Sequence, residues 1–420
     1  MSPKSPASDH VHRRTTCRLC SSDKVERAFA LTPTPPANAF VAREALAQRQ
    51  DCFPLDLFFC HACTHLQLLD VVDPKILFEN YVYVSGTSPS FVRHFQEYAS
   101  SVAGLAGLAP GGLVIDIGSN DGTLLRPFKA LGARTLGIDP ARAIAAEATK
   151  AGIETIADFF SPALANLIAS KHGRASVITA NNVFAHIDDL GGVADGVQRL
   201  LAADGVFVFE VSYLLDVIDK TLFDTIYHEH LAYHAVRPLM PFLARHGLQL
   251  IEALRVPTHG GSLRGIAQRA GGPRKTGASV DALLTRERER ALHTIDTYRR
   301  FAERIDLLGA ELTALLRRLK SEGRSIAGFG APAKATTLMY HFGLGPEVID
   351  FIVDDSPLKQ NLFTPGLHVP VVSPDALLQK RPDYLLVLAW NFAEAIVARN
   401  DAFRAGGGHF IIPVPTIEVI

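Results

Sequence analysis

One stretch constrains the fold more than any other: Leu113-Val114-Ile115-Asp116-Ile117-Gly118-Ser119-Asn120-Asp121-Gly122-Thr123-Leu124-Leu125. Three apolar residues run into an acid, a glycine-rich turn follows, and an apolar run of helical character begins. That order predicts a buried parallel strand, a tight loop and a helix start, the opening unit of an α/β sheet. Gly118 and Gly122 lack a Cβ, so the turn can bring its backbone close to a ligand. Further on, Thr135-Leu136-Gly137-Ile138-Asp139 reads as the second strand. An acid at its carboxyl end, Asp139, can accept hydrogen bonds from both hydroxyls of a ribose.

The turn is not the G-x-G-x-x-G fingerprint of dinucleotide-binding sheets. Its form, Asp116-x-Gly118-x-Asn120-x-Gly122, resembles the first motif of class I methyltransferases that bind S-adenosylmethionine. That cofactor has no pyrophosphate, so the loop needs an acid facing a cationic methionine moiety as well as backbone amides. Asp116, Gly118, Ser119, Asn120, Gly122 and Asp139 are the expected cofactor contacts; an ordinary β-turn-α is the plain alternative. Asp158 and Phe159 fall where an adenine-binding loop is expected. Residues 175–180 read as a fourth buried strand ending in Asn181 and Asn182, and carboxyl ends of strands line the crevice of open α/β sheets. A fifth strand over 205–211 follows, then a closing antiparallel pair over 248–256 and 262–268.

Cys17-Arg18-Leu19-Cys20 and Cys60-His61-Ala62-Cys63 are C-x-x-C knuckles that use four of the five cysteines. The spacing suits tetrahedral thiolate ligation of zinc. A four-thiolate set leaves no open coordination position, so the metal is read as structural. Two disulfides are the alternative, at home in exported chains. Residues 1–14 are polar, carry no apolar signal-peptide segment and read as a disordered leader. No apolar run reaches the roughly 18 residues of a membrane span, so a cytoplasmic protein is expected. With a formal net charge of −1 and no long basic run, nucleic acid is not an expected partner.

A chain of 420 residues should hold two or three domains. The pattern divides it into the leader, a zinc-binding domain over 15–75 and a cofactor domain over 76–275. Bridging helices over 276–322 and a second Rossmann-like α/β domain over 323–420 complete it. Tyr81 and Tyr83 sit in a Ser/Gly/Thr loop that is either a lid or an aromatic loop packed on its domain. Tyr298, Phe301, Ile305, Leu308, Leu312, Leu315 and Leu319 recur at steps of three and four, the apolar face of one long helix. That face bridges the chain's own domains or seams a dimer, so monomer and dimer both stand. In the last domain, the turn at Gly330 and the following Lys334 could hold a phosphate-bearing ligand, or the domain is merely structural.

Residues 225–234, Thr-Ile-Tyr-His-Glu-His-Leu-Ala-Tyr-His, are the most chemically loaded. His228 and His230 flank Glu229 directly, which on a helix sets them far apart in angle and makes joint metal ligation poor. A His beside a Glu, with a Tyr nearby, suits a general base with an oxyanion partner. Histidines simply hydrogen-bonded to structure are the other reading.

Taken together, the knuckles, DIGSNDG, NNVFAH, YHEH, HGGSLR (259–264) and GFGAPAK…VDDSPLKQ resemble the deoxysugar C-methyltransferases, in the same order from residue 17 to about 415. The resemblance implies a substrate that is a nucleotide-linked, typically dTDP-linked, 4-keto-6-deoxysugar, methylated next to its ketone through an enolate. It makes His230 the base, with Glu229 its neighbour in the site. Tyr227 and His186 stabilise the enolate oxygen or orient the sugar, and Tyr81 closes from the lid. Gly330, Lys334, His259 and Arg264 become the substrate-binding candidates. An O- or N-methyltransferase of a small metabolite, and a non-catalytic zinc-ribbon binding protein, are the competing readings.

Overall fold

The computed structural model of the chain describes residues 10–78 and 89–420. Tyr81 and Tyr83 lie outside the described residues.

Strict alternation in one segment starts the first sheet. In Phe53–Cys60, Phe53, Leu55, Leu57 and Phe59 are buried and the residues between them only partly so, the period of a strand with one covered face. Val25–Thr34 (β1), Phe53–Cys60 (β2) and Leu66–Leu68 (β3) pair antiparallel. A distant segment, Ala232–Tyr233, completes this sheet by pairing with Gln67 and Leu66. Residues 11–13, expected to lie in a disordered leader, form a strand: Val11–Arg13 pairs antiparallel with Asp70–Val72, and Arg13 Nη2 lies 2.5 Å from Asp70 Oδ2. Ladder hydrogen bonds and an ion pair hold that strand, and neither leaves an apolar pattern in the sequence.

The central sheet contains Leu113–Ile117 (β4), Arg134–Ile138 (β5), Thr155–Ile156 (β6), Ala175–Asn181 (β7), Leu201–Ser212 (β8), Leu248–Val256 (β9) and Ser262–Arg269 (β10). Its order is β9-β10-β8-β7-β4-β5-β6, with β10 antiparallel to both neighbours. This is the class I methyltransferase sheet expected from the 116–122 turn. All five residues of β4 are buried because helices cover both faces. Pro89–Ala106 (α1) supplies Phe95, Tyr98 and Val102 to one face, packed with Val114, Val177 and Val208.

Ile295–Ser321 (α2) is the long helix, and it buries Tyr298, Phe301, Ile305, Leu308, Leu312, Leu316 and Leu319. Leu316 takes the buried place expected of Leu315, because a helix of 3.6 residues per turn drifts from a strict three-and-four stripe. Phe301 meets Phe29 at 5.7 Å and Tyr298 meets Phe59 at 5.5 Å between ring centroids, so the face packs on the chain's own first sheet.

The third sheet runs Val371–Val372, Ile352–Val353, Ile326–Phe329, Tyr384–Val387, His409–Ile412, all parallel, with Glu418–Val419 antiparallel at the edge. Pairing in the expected 348–355 strand is confined to Ile352–Val353. Ala333–Phe342 (α3) starts just beyond the Gly330 turn. Among the described residues no helix is long and apolar enough to cross a membrane.

Candidate active site

The β4 turn is built as its glycines require. Gly118 and Gly122 have φ of +73° and +78°, and a Cβ on Gly118 would lie 2.8 Å from Val183. Asp139 fastens the turn: its Oδ2 accepts from the Asn120 amide at 2.8 Å and its Oδ1 from the Ala141 amide at 2.9 Å. Burial raises its pKa against those two bonds. Asp116 accepts from Thr179 Oγ1 at 2.6 Å, and burial pushes its pKa up to about 7. The Asn182 amide bonds the Glu210 carbonyl at 2.8 Å. Asp158 and Phe159 are exposed near the end of β6, the Phe159 ring at 53%.

One buried polar atom of this turn, Ser119 Oγ, lacks a hydrogen-bond partner, and the Asn181 amide nearby meets only the buried Tyr98 hydroxyl. Native interiors rarely leave such an atom unpaired, so the turn has polar capacity to spare for a ligand. S-adenosylmethionine, with its ammonium, carboxylate and ribose groups, fits that donor set.

Beside it lies a network that sequence reasoning missed. Glu210, at the carboxyl end of β8, accepts from His94 Nε2 at 2.8 Å and from Arg264 Nη2 at 3.2 Å. The Arg264 guanidinium also stacks 4.4 Å from the Tyr98 ring centroid. Burial would raise the Glu210 pKa, but His94 and Arg264 overcome it and hold the carboxylate ionised. An acid closing an apolar strand was the available signal. Its partners lie 116 and 54 residues away, and no local pattern connects them. Arg264 is thereby committed to Glu210.

Within 225–234 the Tyr227–His230 stretch is a turn that leads into the Ala232–Tyr233 strand, and it splits its histidines. His228 is buried and faces the zinc domain, its Nε2 3.1 Å from the Phe53 carbonyl. His230 is half-buried, with Nδ1 2.7 Å from the Thr225 carbonyl. Its ring lies 4.1 Å from that of Tyr227 and 4.8 Å from that of His186. Burial lowers the His230 pKa to about 4, with the Thr225 carbonyl opposing, and lowers that of His186 as well. Glu229 is buried and accepts from Asn38 Nδ2 at 3.0 Å; burial pushes its pKa up to about 7.

Lys334, from the first turn of α3, donates to Asn391 Oδ1 at 2.6 Å and lies 3.3 Å from the Trp390 ring centroid. Trp390 in turn donates to the buried Asp224. Burial draws the Lys334 pKa down to about 7, with Asp224 opposing. His259 occupies the left-handed region at φ 53° and reaches solvent, yet Lys334, Glu210 and His94 all act on its charge and it acts on His230. His259 therefore lies near both Lys334 and His230, and Gly260 beside it abuts Trp390 of the C-terminal domain. Gly330 does not join them: it is buried, its amide bonds the Val353 carbonyl, and a Cβ there would lie 2.5 Å from Ala389.

The knuckles converge as their spacing predicts. The Sγ atoms of Cys17, Cys20, Cys60 and Cys63 all lie within 4.8 Å of one another, with Cys17–Cys63 and Cys20–Cys60 each at 3.5 Å. Disulfide sulfurs lie ~2.05 Å apart, whereas 2.3 Å Zn–S bonds in a tetrahedron separate sulfurs by roughly 3.8 Å. The cysteines are free thiols arranged to hold zinc.

Residues 17–78 match a family of zinc binding domains, residues 91–253 a methyltransferase domain family, and residues 257–415 the C-methyltransferase C-terminal domain. The C-methyltransferase NovU of Streptomyces niveus is 36% identical over 98% of this chain and 98% of its own length. The chain belongs to the C-methyltransferase family. It is thus an S-adenosylmethionine-dependent enzyme, which sets aside the non-catalytic zinc-ribbon reading. The ubiquinone biosynthesis O-methyltransferase of Rhodopseudomonas palustris is similar to the enzyme over a shorter stretch, 30% identical over 31% of this chain and 49% of that protein. Among solved structures, an S-adenosylmethionine-dependent methyltransferase from Clostridium acetobutylicum is 14% identical over 43% of this chain and 92% of its own, with a TM-score of 0.35.

Proposed function

We propose that this C-methyltransferase alkylates the carbon alpha to the ketone of a nucleotide-linked 4-keto-deoxysugar, with a dTDP sugar the expected substrate. The observation that carries the reading is the His230 hydrogen bond. A carbonyl can only accept, so the neutral ring donates from Nδ1 to Thr225 and keeps its lone pair on Nε2. With a pKa drawn down to about 4, that nitrogen is unprotonated at neutral pH. It can take a proton from a carbon made acidic by an adjacent ketone.

Tyr227 and His186, whose rings flank His230, are assigned to the enolate oxygen, where a donor aimed at developing charge contributes most. Lys334 and His259 are assigned to the nucleotide sugar. Tyr81 is assigned to closure on family resemblance alone. Bound S-adenosylmethionine supplies the electrophilic methyl group, held at the β4 turn. The deciding experiment offers a panel of 4-keto nucleotide sugars with labelled cofactor and locates the methyl by mass spectrometry and NMR. A methyl on carbon next to the ketone, with solvent deuterium entering that carbon, is expected. A methyl on oxygen or nitrogen would overturn the reading.

A further inference from the structure

Between the first pair of zinc-binding cysteines sits a charged residue with no part in holding metal. Arg18 has a side-chain exposure of 0%, and its guanidinium is engaged on every side. Its Nη1 donates to the carbonyls of Leu68 at 2.9 Å and Leu231 at 3.1 Å, and to Gln67 Oε1 at 3.1 Å. Its Nε and Nη2 both donate to Asp188 Oδ1, at 3.1 and 3.0 Å.

Those partners fall at two particular places. Leu231 directly follows His230, and Asp188 lies two residues beyond His186. The same two segments are joined by their backbones, since the Leu231 and Ala232 amides both bond the Ala185 carbonyl, at 2.9 and 3.2 Å. One guanidinium therefore grips the bases of both ring-bearing segments, and those rings stand 4.8 Å apart. Arg14 adds further charge at Asp188, its Nη1 at 3.1 Å, and His12 Nε2 lies 3.5 Å from the same carboxylate.

A buried ion pair is a poor way to gain stability, because desolvation cancels most of its attraction and apolar replacements often do as well. What it does supply is direction. The guanidinium fork is planar and rigid, and donors on all three of its nitrogens aimed at fixed acceptors define position and angle together. The backbone of Arg18 is fixed in turn by the knuckle, with Cys17 and Cys20 on either side and its own amide bonded to Gln67 Oε1 at 2.9 Å. A line of rigid contacts thus runs from the four-thiolate cluster through Arg18 to the His186–His230 pair.

We propose that Arg18 is a positioning residue for proton transfer, and that through it the zinc knuckle sets the spacing and tilt of His186 and His230. The inference rests on the assignment of those histidines to catalysis, so its test includes a reading that needs no substrate. In Arg18→Lys the charge remains but the fork is lost. In Asp188→Asn the acceptor for the His186 segment is weakened at a half-exposed site. Both variants should retain zinc by elemental analysis and bind S-adenosylmethionine as tightly as the parent by calorimetry.

Imidazole nitrogen NMR should show His230, identified by its absence in His230→Gln, as one Nδ1–H tautomer in the parent and as a shifted or exchange-broadened signal in each variant. Turnover of a 4-keto nucleotide sugar should fall about 10- to 100-fold in kcat, as for small misplacements of reacting groups, with KM for the cofactor unchanged. An unaltered His230 signal in both zinc-loaded variants, or full kcat in both, overturns the proposal. If Arg18→Lys loses zinc, Asp188→Asn alone decides by the same two readings. A parent that shows the single tautomer but turns over no keto sugar defeats the substrate assignment and leaves the NMR test standing.

Discussion

The molecule contains the same local unit twice, and the copies differ in what they leave open. In each, a buried strand runs into a glycine turn, and an acid ending the next strand reaches back to fasten it. Asp139 accepts the Asn120 and Ala141 amides; Asp354 accepts the Ala331 and Ser356 amides at 2.7 and 2.8 Å. In the C-terminal copy the closure goes further. Lys359 donates to the Ala331 carbonyl, Gln360 to the Asp354 carbonyl, and Lys334 is taken up by Asn391 and Trp390. In the central copy Ser119 Oγ stays buried and unpaired. A glycine turn at a strand end is therefore no ligand site by itself. What distinguishes the two is whether neighbouring side chains have already satisfied the polar groups that a ligand would need.

The largest expected effect is at His230. His230→Ala should lower methyl transfer and solvent exchange at the substrate carbon by ~10²- to 10⁴-fold, the usual contribution of a general base. Cofactor affinity should stay intact, and calorimetry beside single-turnover kinetics separates the two. The pH profile sharpens the assignment. If His230 is the base, its lowered pKa puts the acid limb of kcat/KM near pH 4, and activity is retained as pH falls through 6.5. A limb near pH 7 would count against His230 and point to a carboxyl group instead, Glu229 or Asp116, since burial raises both to about 7. Stability follows the same signs. Above pH 6.5 the neutral, buried His230 costs folding nothing, and as pH falls from 6.5 towards 4 the unfolded state gains its proton first and folding weakens.

Next come the glycines. Both Gly118→Ala and Gly330→Ala force a side chain into the left-handed region against a close neighbour, Val183 in one case and Ala389 in the other. Each should destabilise the fold by about 1–3 kcal/mol in chemical denaturation. Gly118→Ala alone should also weaken S-adenosylmethionine binding, by tenfold or more. Equal loss of cofactor affinity in Gly330→Ala would break the comparison.

The acids should separate in the same way. Asp139→Ala should weaken cofactor binding by about 1–3 kcal/mol through the loosened turn and a lost ribose acceptor, whereas Asp354→Ala should leave it unchanged. Smallest is Lys334→Met, expected to raise KM for the nucleotide sugar severalfold with kcat nearly constant, since a phosphate contact acts in ground and transition states alike. Steady-state kinetics showing a kcat loss would place Lys334 nearer the chemistry than its seat on Trp390 implies.

Much of this enzyme was legible in its residues because the determining forces are local. A turn that needs positive φ demands glycine at 118 and 122, and a strand covered on both faces must be apolar throughout, as β4 is. Two close thiolate pairs are a metal site wherever the chain brings them together. The class of the central sheet and the reading of DIGSNDG as a cofactor turn followed from those facts.

The division of labour within YHEH did not. Nothing in the sequence says that His228 turns to the Phe53 carbonyl while His230 turns to the Thr225 carbonyl, because that choice depends on which surfaces pack against the turn. Nor does it say that Asn38 meets Glu229 across 191 residues, or that Arg18 meets Leu231 across 213. A buried charge is tolerated only where partners satisfy it, and those partners come from segments joined by tertiary packing alone. The sequence by itself determined the turns, strands and metal knuckles; which polar side chains face each other was decided only when the three sheets came together.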